Sequence, residues 1–156
     1  MSFQPHDICL RPCRRSDREA CLALFDANCP AFFAPNERED YVLFLDESPE
    51  SYQVATAAGR VIGAYGVFRR GERVAINWIL LAPDAQGMGL GALFMERAVE
   101  EARALGGKVL NIAASHLSAP FFQRFGALER GRVTNGWGPG MHRVDMALMI
   151  ETSKRL

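Results

Sequence analysis

Three glycines at alternate positions mark the segment of the sequence best suited to bind a ligand. They lie in Gln86-Gly87-Met88-Gly89-Leu90-Gly91, between a predicted strand that ends at Leu81 and a predicted helix that begins at Leu90. Glycine lacks the Cβ atom that would keep a ligand away from the backbone. The first N–H groups of a helix have no intrahelical partner and lie at the positive end of the helix dipole. The segment therefore predicts a phosphate-binding turn.

Two common phosphate-binding motifs can be compared with this turn. A P-loop requires a lysine after its last glycine, and this segment contains none. A dinucleotide fingerprint, G-x-G-x-x-G/A, is formally satisfied by Gly87, Gly89 and Ala92. Such a motif should follow its strand directly and be answered by an acid near the end of the next strand. Residues 82–86 intervene here, and the predicted strand 109–113 ends without an acid. A helix start with incidental glycines is the structural alternative.

The elements that must hold this turn follow from changes in hydrophobic periodicity. The predicted strands are residues 8–11, 52–57, 61–68, 74–81, 109–113, 127–134 and 141–150, and the predicted helices are 16–27, 32–45, 90–105 and 118–124. A capping box, Ser16 to Glu19, begins the first helix, and a glycine-rich loop, 135–140, joins the last two strands. The early strands predict an antiparallel meander, followed by a central parallel βαβ unit. The sequence thus predicts one domain, 1–156, with a mixed α/β sheet.

Composition excludes several classes of protein. Eighteen basic and eighteen acidic residues cancel, which disfavours a broad nucleic-acid-binding face. No apolar run approaches the roughly 18 residues of a membrane span. The N-terminal residues show no signal-peptide pattern, so we expect a cytoplasmic protein without membrane attachment. Four cysteines, Cys9, Cys13, Cys21 and Cys29, match no common zinc spacing, so we expect apolar packing roles rather than a metal site.

Two motifs in this order resemble the GNAT superfamily of N-acetyltransferases. Gln86-x-x-Gly89-x-Gly91 matches the family signature Q/R-x-x-G-x-G/A, and Leu81-Ala82-Pro83-Asp84 precedes it as is common in the family. Residues 118–127 resemble the second family motif, an aromatic pair followed by three residues and then Gly-Ala. The element order also matches, so the resemblance covers nearly the whole chain. It implies the GNAT-like acyl-CoA N-acyltransferase fold and acetyl-coenzyme A (acetyl-CoA) as the cofactor.

The resemblance also implies roles for individual residues. Gln86, Gly87, Met88, Gly89, Leu90 and Gly91 would hold the pyrophosphate, and the pantetheine arm would run between two strands that splay apart. The N–H of Leu81 would polarise the acetyl carbonyl. Ser115 would bond the pantetheine amides or, alternatively, cap the following helix. Phe122 would contact the cofactor.

The sequence departs from the family at both common proton-transfer positions. Phe122 replaces the frequent tyrosine that protonates the leaving thiolate, and the strand before the glycine turn carries Asn77 as its polar side chain instead of the frequent glutamate. His116 is the nearest titratable replacement and is the predicted catalytic residue, because histidine titrates near neutral pH. It can alternatively be an ordinary loop residue. His142 and Asp145 are further candidates.

The acceptor region is predicted from position in the family and from chemistry. Phe33, Glu37, Trp137 and His142 are the predicted substrate residues, since an acid beside aromatic rings suits a cation with an apolar body. Glu37 can alternatively be a solvated acid at a helix start. We expect acetyl transfer from acetyl-CoA directly to the primary amine of a small molecule. A non-catalytic CoA-binding sensory module, or transfer of another acyl group or to another acceptor, remains open, as does a homodimer.

Overall fold

A mixed sheet forms the centre of the structure. The computed structural model describes residues 7–47 and 51–151, so the prediction about the N-terminal segment, residues 1–6, lies outside the described residues. The strands in these ranges are β1 (Ile8–Pro12), β2 (Tyr52–Ala57), β3 (Arg60–Arg70), β4 (Arg73–Leu81), β5 (Val109–Ser115), β6 (Leu128–Gly138) and β7 (Met141–Met149). They lie in the order β1-β2-β3-β4-β5-β7-β6. Among the strands of the described residues, only β4 and β5 pair in parallel, which confirms the predicted fold class.

Helices pack on both faces of this sheet. They are α1 (Arg18–Ala27), α2 (Glu37–Glu47), α3 (Leu90–Ala104) and α4 (Ala119–Gln123). The ring of Phe94 on α3 lies 4.8 Å from that of Tyr65, whereas Tyr41 on α2 lies 6.2 Å from Tyr52. Because Tyr52 pairs with Gly66, the neighbour of Tyr65, the two contacts are on opposite faces. None of the helices in the described ranges is both long and apolar enough to cross a membrane.

The apolar stripe predicted on α3, Leu90, Phe94, Ala98 and Leu105, is buried except at its end, because Leu105 lies beyond the last helical residue and is 37% exposed. Leu90, Phe94, Ala98 and Ala102 are almost completely inaccessible to solvent, as the spacing of three and four residues requires for one helix face. The chain then leaves the helix at Gly106, whose φ of +82° lies in the left-handed region that glycine adopts without steric cost. This helix is the crossover of the βαβ unit, so it fixes the glycine turn at one end of β4.

The cleft of this molecule arises because β4 and β5 part. Their parallel ladder contains only the pairs Val74–Leu110 and Ala75–Asn111. Beyond it, the register between β3 and β4 shifts, and Trp78 has a φ of +44°, which is unusual for a bulky side chain. A β-bulge of this kind bends its strand. The bend accompanies the separation of β4 from β5 towards Leu81 and Ser115.

Three local predictions were wrong, each for a tertiary or competing local reason. The second helix begins at Glu37, not near residue 32, because residues 28–33 form turns and the Glu37 carboxylate accepts the N–H of Ala34. The Ser16 capping box is replaced by a 3-10 turn in which Asp17 accepts the N–H of Arg14. The predicted loop 135–140 is largely strand, because β6 continues to Gly138 with an irregular register against β7.

Candidate active-site cleft

The glycine turn presents its backbone to open space. Gly87 and Gly89 have φ values of +84° and +85°, and a Cβ atom added to either would meet no atom within 4 Å. Gly89 is also the N-cap of α3, so the free N–H groups of that helix lie beside it. Leu90 is buried in the core and Met88 packs against it. The turn therefore offers N–H groups and uncrowded space, which fits a pyrophosphate group.

Gly91 has a different role from the other two glycines. A Cβ atom at this position would lie 2.7 Å from the ring of Phe121, so the absence of a side chain lets that ring pack against the start of α3. Phe121 in turn meets Phe122 edge to ring face, with centroids 5.0 Å apart. The family's second motif is thereby packed directly against its first.

A cleft of about 1130 Å³ joins most of the predicted site residues. It runs through the gap between β4 and β5. The predicted cofactor residues that line it are Gln86, Gly87, Gly89, Gly91, Leu81, Ser115 and Phe122, and the predicted acceptor residues are Phe33, Glu37 and Trp137. Met88, Leu90, His116 and His142 do not line it.

The backbone of Leu81 faces the gap. Ala82 donates its N–H to the carbonyl of Ile62 on β3 at 2.8 Å. Polar groups of successive strand residues point to alternate sides, so those of Leu81 point away from β3. The Nδ2 of Asn28, at the end of α1, accordingly reaches the Leu81 carbonyl at 2.9 Å. The Leu81 N–H is directed to the same side, where the resemblance would put the thioester.

Ser115 and Phe122 are both buried where β5 gives way to α4. The Ser115 Oγ accepts the N–H of Ser118, the N-cap residue of α4, at 3.0 Å, so Ser115 closes the turn ahead of that helix and also lines the cleft. Phe122 is 3% exposed. Its ring has no proton to donate, so it contributes apolar surface to the cleft.

His116 and His142 meet each other and not the cleft. Their rings are 4.7 Å apart. The Nδ1 of His116 accepts the N–H of His142 at 3.2 Å, and the Nδ1 of His142 accepts the N–H of Asn135 at 2.9 Å. The His116 side chain thus joins the end of β5 to the β6–β7 hairpin, and the His142 side chain bonds within that hairpin. Asp145 is paired with Arg143 at 3.1 Å. The predicted catalytic role of His116 stays a prediction that the cleft geometry does not support.

The acceptor end of the cleft contains a buried acid beneath aromatic rings. Glu37 is only 4% exposed, and its Oε2 accepts the N–H of Ala34 at 2.7 Å. Burial disfavours the charged carboxylate and, with a smaller contribution from the nearby Asp40, raises the pKa of Glu37 to about 7 against the lowering effect of the Ala34 N–H bond. Phe33 stacks on Trp78 with centroids 6.1 Å apart. This environment is desolvated and negative, which suits an amine.

A hydrogen bond links the two segments beside that acid. The Nδ2 of Asn36, between α1 and α2, donates to the carbonyl of Trp137 at 2.7 Å, and the Trp137 indole N–H donates to the carbonyl of Ala114 on β5 at 2.9 Å. A Cβ atom on Gly138 would overlap the side chains of Asn36 and Ala34, so these side chains pack directly against the backbone of Gly138. The β6–β7 hairpin is therefore joined to both sides of the acceptor end.

Sequence reasoning missed the residues that shape β4. The Tyr52 hydroxyl donates to the Trp78 carbonyl and lies 2.9 Å from the Tyr41 hydroxyl. Both tyrosines are completely buried, so this hydrogen-bonded pair supports the bulge in β4 from within the core. Asn28 was also missed, although an amide side chain at the end of a predicted helix is a signal for such a contact. The left-handed Trp78 carries no sequence signal.

Comparisons with known proteins agree with this architecture. The sequence model of the acetyltransferase (GNAT) family matches residues 21–127. No curated protein sequence matches the chain significantly. Among solved structures, YncA from Salmonella typhimurium, which contains acetyl-CoA, is similar with a TM-score of 0.70 and 16% identity, over 96% of this chain and 97% of its own.

Two further solved structures are of proteins that are named for different acceptors. N-acetylglutamate synthase from Neisseria gonorrhoeae, complexed with coenzyme A and N-acetylglutamate, has a TM-score of 0.75 and 15% identity over 93% of this chain and 35% of its own. The ribosomal-protein-S18-alanine N-acetyltransferase from Escherichia coli has a TM-score of 0.75 and 16% identity over 94% of this chain and 96% of its own. At these identities the likeness concerns the fold, whereas the family match spans most of the sequence. The chain belongs to the GNAT acetyltransferase family, whose cofactor is acetyl-CoA.

Proposed function

We propose that this protein transfers the acetyl group of acetyl-CoA directly to the primary amine of a small molecule. The observation that carries the proposal is the single cleft that connects the glycine turn with a buried acid among aromatic rings. One end has the features of a phosphate site, and the other has those of an ammonium site. The gap between β4 and β5 joins them, as transfer without a covalent enzyme intermediate requires.

Different residues along this cleft would bind the cofactor and activate its thioester. The N–H groups at the start of α3 would hold the pyrophosphate, and Ser115 and Phe122 would flank the pantetheine arm. The bound cofactor supplies a thioester whose carbonyl carbon is open to attack. The Leu81 N–H would donate a hydrogen bond to the carbonyl oxygen, and a donor of this kind typically contributes about 3 kcal/mol to catalysis.

The preference for a small acceptor rests on the link between Asn36 and Trp137. The fold itself does not choose, because its neighbours include proteins named for glutamate and for a ribosomal protein as acceptor. The hydrogen bond between the α1–α2 segment and the hairpin narrows the acceptor end. A compact amine meets fewer obstacles there than a folded protein surface does.

The test is thiol release from acetyl-CoA across a panel of amines, with mass spectrometry of the products. The panel contains arylalkylamines, polyamines, amino acids and lysine-containing peptides. We expect N-acetylation of small amines at rates well above those of peptides. Activity confined to peptides or proteins would reject the small acceptor. Tight acetyl-CoA binding without transfer to any amine would favour the non-catalytic sensory module, and preference for a longer acyl-CoA would correct the acyl group.

A further inference from the structure

Glu37 is a buried carboxylate whose charge has no partner within the described part of the chain. Its Oε2 accepts the N–H of Ala34. No described residue donates a hydrogen bond to its Oε1, and the residue lines the cleft. The cation that follows it in sequence, Arg38, is paired with Asp26 at 2.8 Å. A buried carboxylate without a counter-charge is costly, so this site is suited to a cation that arrives with a ligand.

The other groups around Glu37 do not supply that cation. Asp40 on the same helix and Cys29 in the preceding turn are the ionisable neighbours that interact with it electrostatically. Neither can carry positive charge. Phe33 and Trp137 line the cleft near it and exclude water without offering a charge. The carboxyl is therefore poised between its neutral and ionised forms near neutral pH.

The reaction needs a proton acceptor in the same place. An alkylamine with a pKa of ~10.4 is almost entirely protonated at pH 7 and cannot attack in that form. The positions where the family often has a glutamate and a tyrosine hold Asn77 and Phe122. Among the described residues that line the cleft, the ionisable side chains are Glu37, Arg73 and Arg124. Arginine stays protonated, so Glu37 is the group in the cleft that can accept a proton.

We infer that Glu37 is the catalytic base of the reaction, which binds the acceptor as an ammonium ion and removes one of its protons. The inference deepens the proposed function and rests on it. The freed lone pair of the nitrogen forms the new C–N bond, and the C–S bond breaks with its electron pair on sulfur. A second proton leaves the nitrogen and ends on that sulfur, which gives the amide and the free thiol. Glu37 then releases its proton to solvent.

The decisive comparison uses two amines of nearly equal shape, 2-phenylethylamine and 2,2-difluoro-2-phenylethylamine. Fluorine lowers the pKa of the second amine, so more of it is already neutral at the assay pH. Replacement Glu37→Gln keeps an oxygen acceptor for the Ala34 N–H and removes the base. We expect kcat/KM to fall by about 10²–10⁴-fold for 2-phenylethylamine and by much less for the fluorinated amine, with unchanged acetyl-CoA affinity. Glu39→Gln, on the same helix turn but exposed, is the matched control and should change little.

A binding measurement separates this inference from the proposed function. In the wild-type protein at pH 6, binding of 2-phenylethylamine should release close to one proton, seen as a calorimetric enthalpy that depends on the ionisation enthalpy of the buffer. Glu37→Gln should abolish that dependence. Equal losses for both amines, or proton release that survives in the variant, would overturn the role of Glu37 even if acetylation is observed. If the wild-type protein acetylates no amine, the proposed function is rejected. Proton release on amine binding would then test only whether Glu37 binds the ammonium ion.

Discussion

Ionisation of Glu37 should make the folded protein less stable as pH rises. Burial raises the pKa of this carboxyl from an ordinary 4.5 to about 7 in the folded state. Below pH 4.5 both states hold the proton. Between these two values the unfolded chain has lost the proton while the folded chain retains it, so stability decreases with increasing pH. Above pH 7 the full penalty is present.

The size of the penalty follows from the two pKa values. Each pKa unit corresponds to about 1.4 kcal/mol, so the separation between 4.5 and about 7 amounts to ~3 kcal/mol. Glu37 is buried but lines the cleft, so water in the cleft screens its charge and lowers the penalty below this figure. Carboxylates with lowered pKa values, such as Asp17 beside Arg11, act in the opposite sense and at lower pH. These carboxylates are present in both wild type and Glu37→Gln, so their contributions cancel when the stabilities of the two proteins are compared.

Urea unfolding at pH 5, 6, 7 and 8 measures the effect. The difference in unfolding free energy between Glu37→Gln and wild type should shift in favour of the variant by up to ~2.5 kcal/mol from pH 5 to pH 8, because part of the penalty is already present at pH 5. With a typical urea slope of ~1–3 kcal/mol per molar, the midpoints should diverge by about 1–3 M. Parallel pH profiles within about 0.5 kcal/mol would refute the reasoning, because Glu37 would then titrate alike in both states.

Four other substitutions test separate parts of the site. Gly89→Glu should abolish acetyl-CoA binding, measured by calorimetry. The control Gly71→Glu changes another left-handed glycine (φ +63°), in the turn between β3 and β4, and should leave binding intact. Equal affinity of the two variants would reject the phosphate site. Asn36→Ala should raise KM for small amines and relax discrimination against peptides, and an unchanged acceptor profile would argue against a narrowed cleft. Tyr52→Phe should cost about 1–3 kcal/mol in urea unfolding, because it leaves buried polar groups unpaired, and should lower kcat; full stability and turnover would show that the bulge needs no support. His116→Ala should leave turnover within about threefold of wild type, since its ring lies outside the cleft. A loss of about 10²-fold would restore His116 as the catalytic residue.

The features of the site that the sequence predicted are those with local causes. The left-handed backbone directly before α3 requires glycine at positions 87 and 89. The helix itself can be predicted from its apolar stripe and the glycine pair that ends it, without reference to distant residues. The same reasoning placed β4, α3 and β5 in order. The cofactor half of the cleft could be assembled from these elements and the family resemblance.

The remaining features depend on contacts between distant segments. Glu37 has the sequence context of a solvated acid at a helix start, and its burial depends on packing that the sequence pattern does not show. Trp78 adopts its left-handed conformation where the Tyr52 hydroxyl donates to its carbonyl and is itself hydrogen-bonded to the hydroxyl of Tyr41 on α2. His116 was chosen by elimination along the chain, whereas the structure turns its ring towards the hairpin. Side-chain direction at such positions is decided by tertiary packing.

The brief pairing of β4 with β5 has a consequence for how fast the backbone exchanges its hydrogens. Past Ala75 and Asn111 these two strands no longer pair, so the amides of β4 that face the gap are without the strand partner that a continued ladder would give them. Such amides have low protection because they need little local opening to exchange. We expect them to exchange deuterium sooner than the amides between β2 and β3, and to slow markedly when acetyl-CoA occupies the gap. In the free protein, the centre of the sheet is then less protected than the pairing of β2 with β3 beside it.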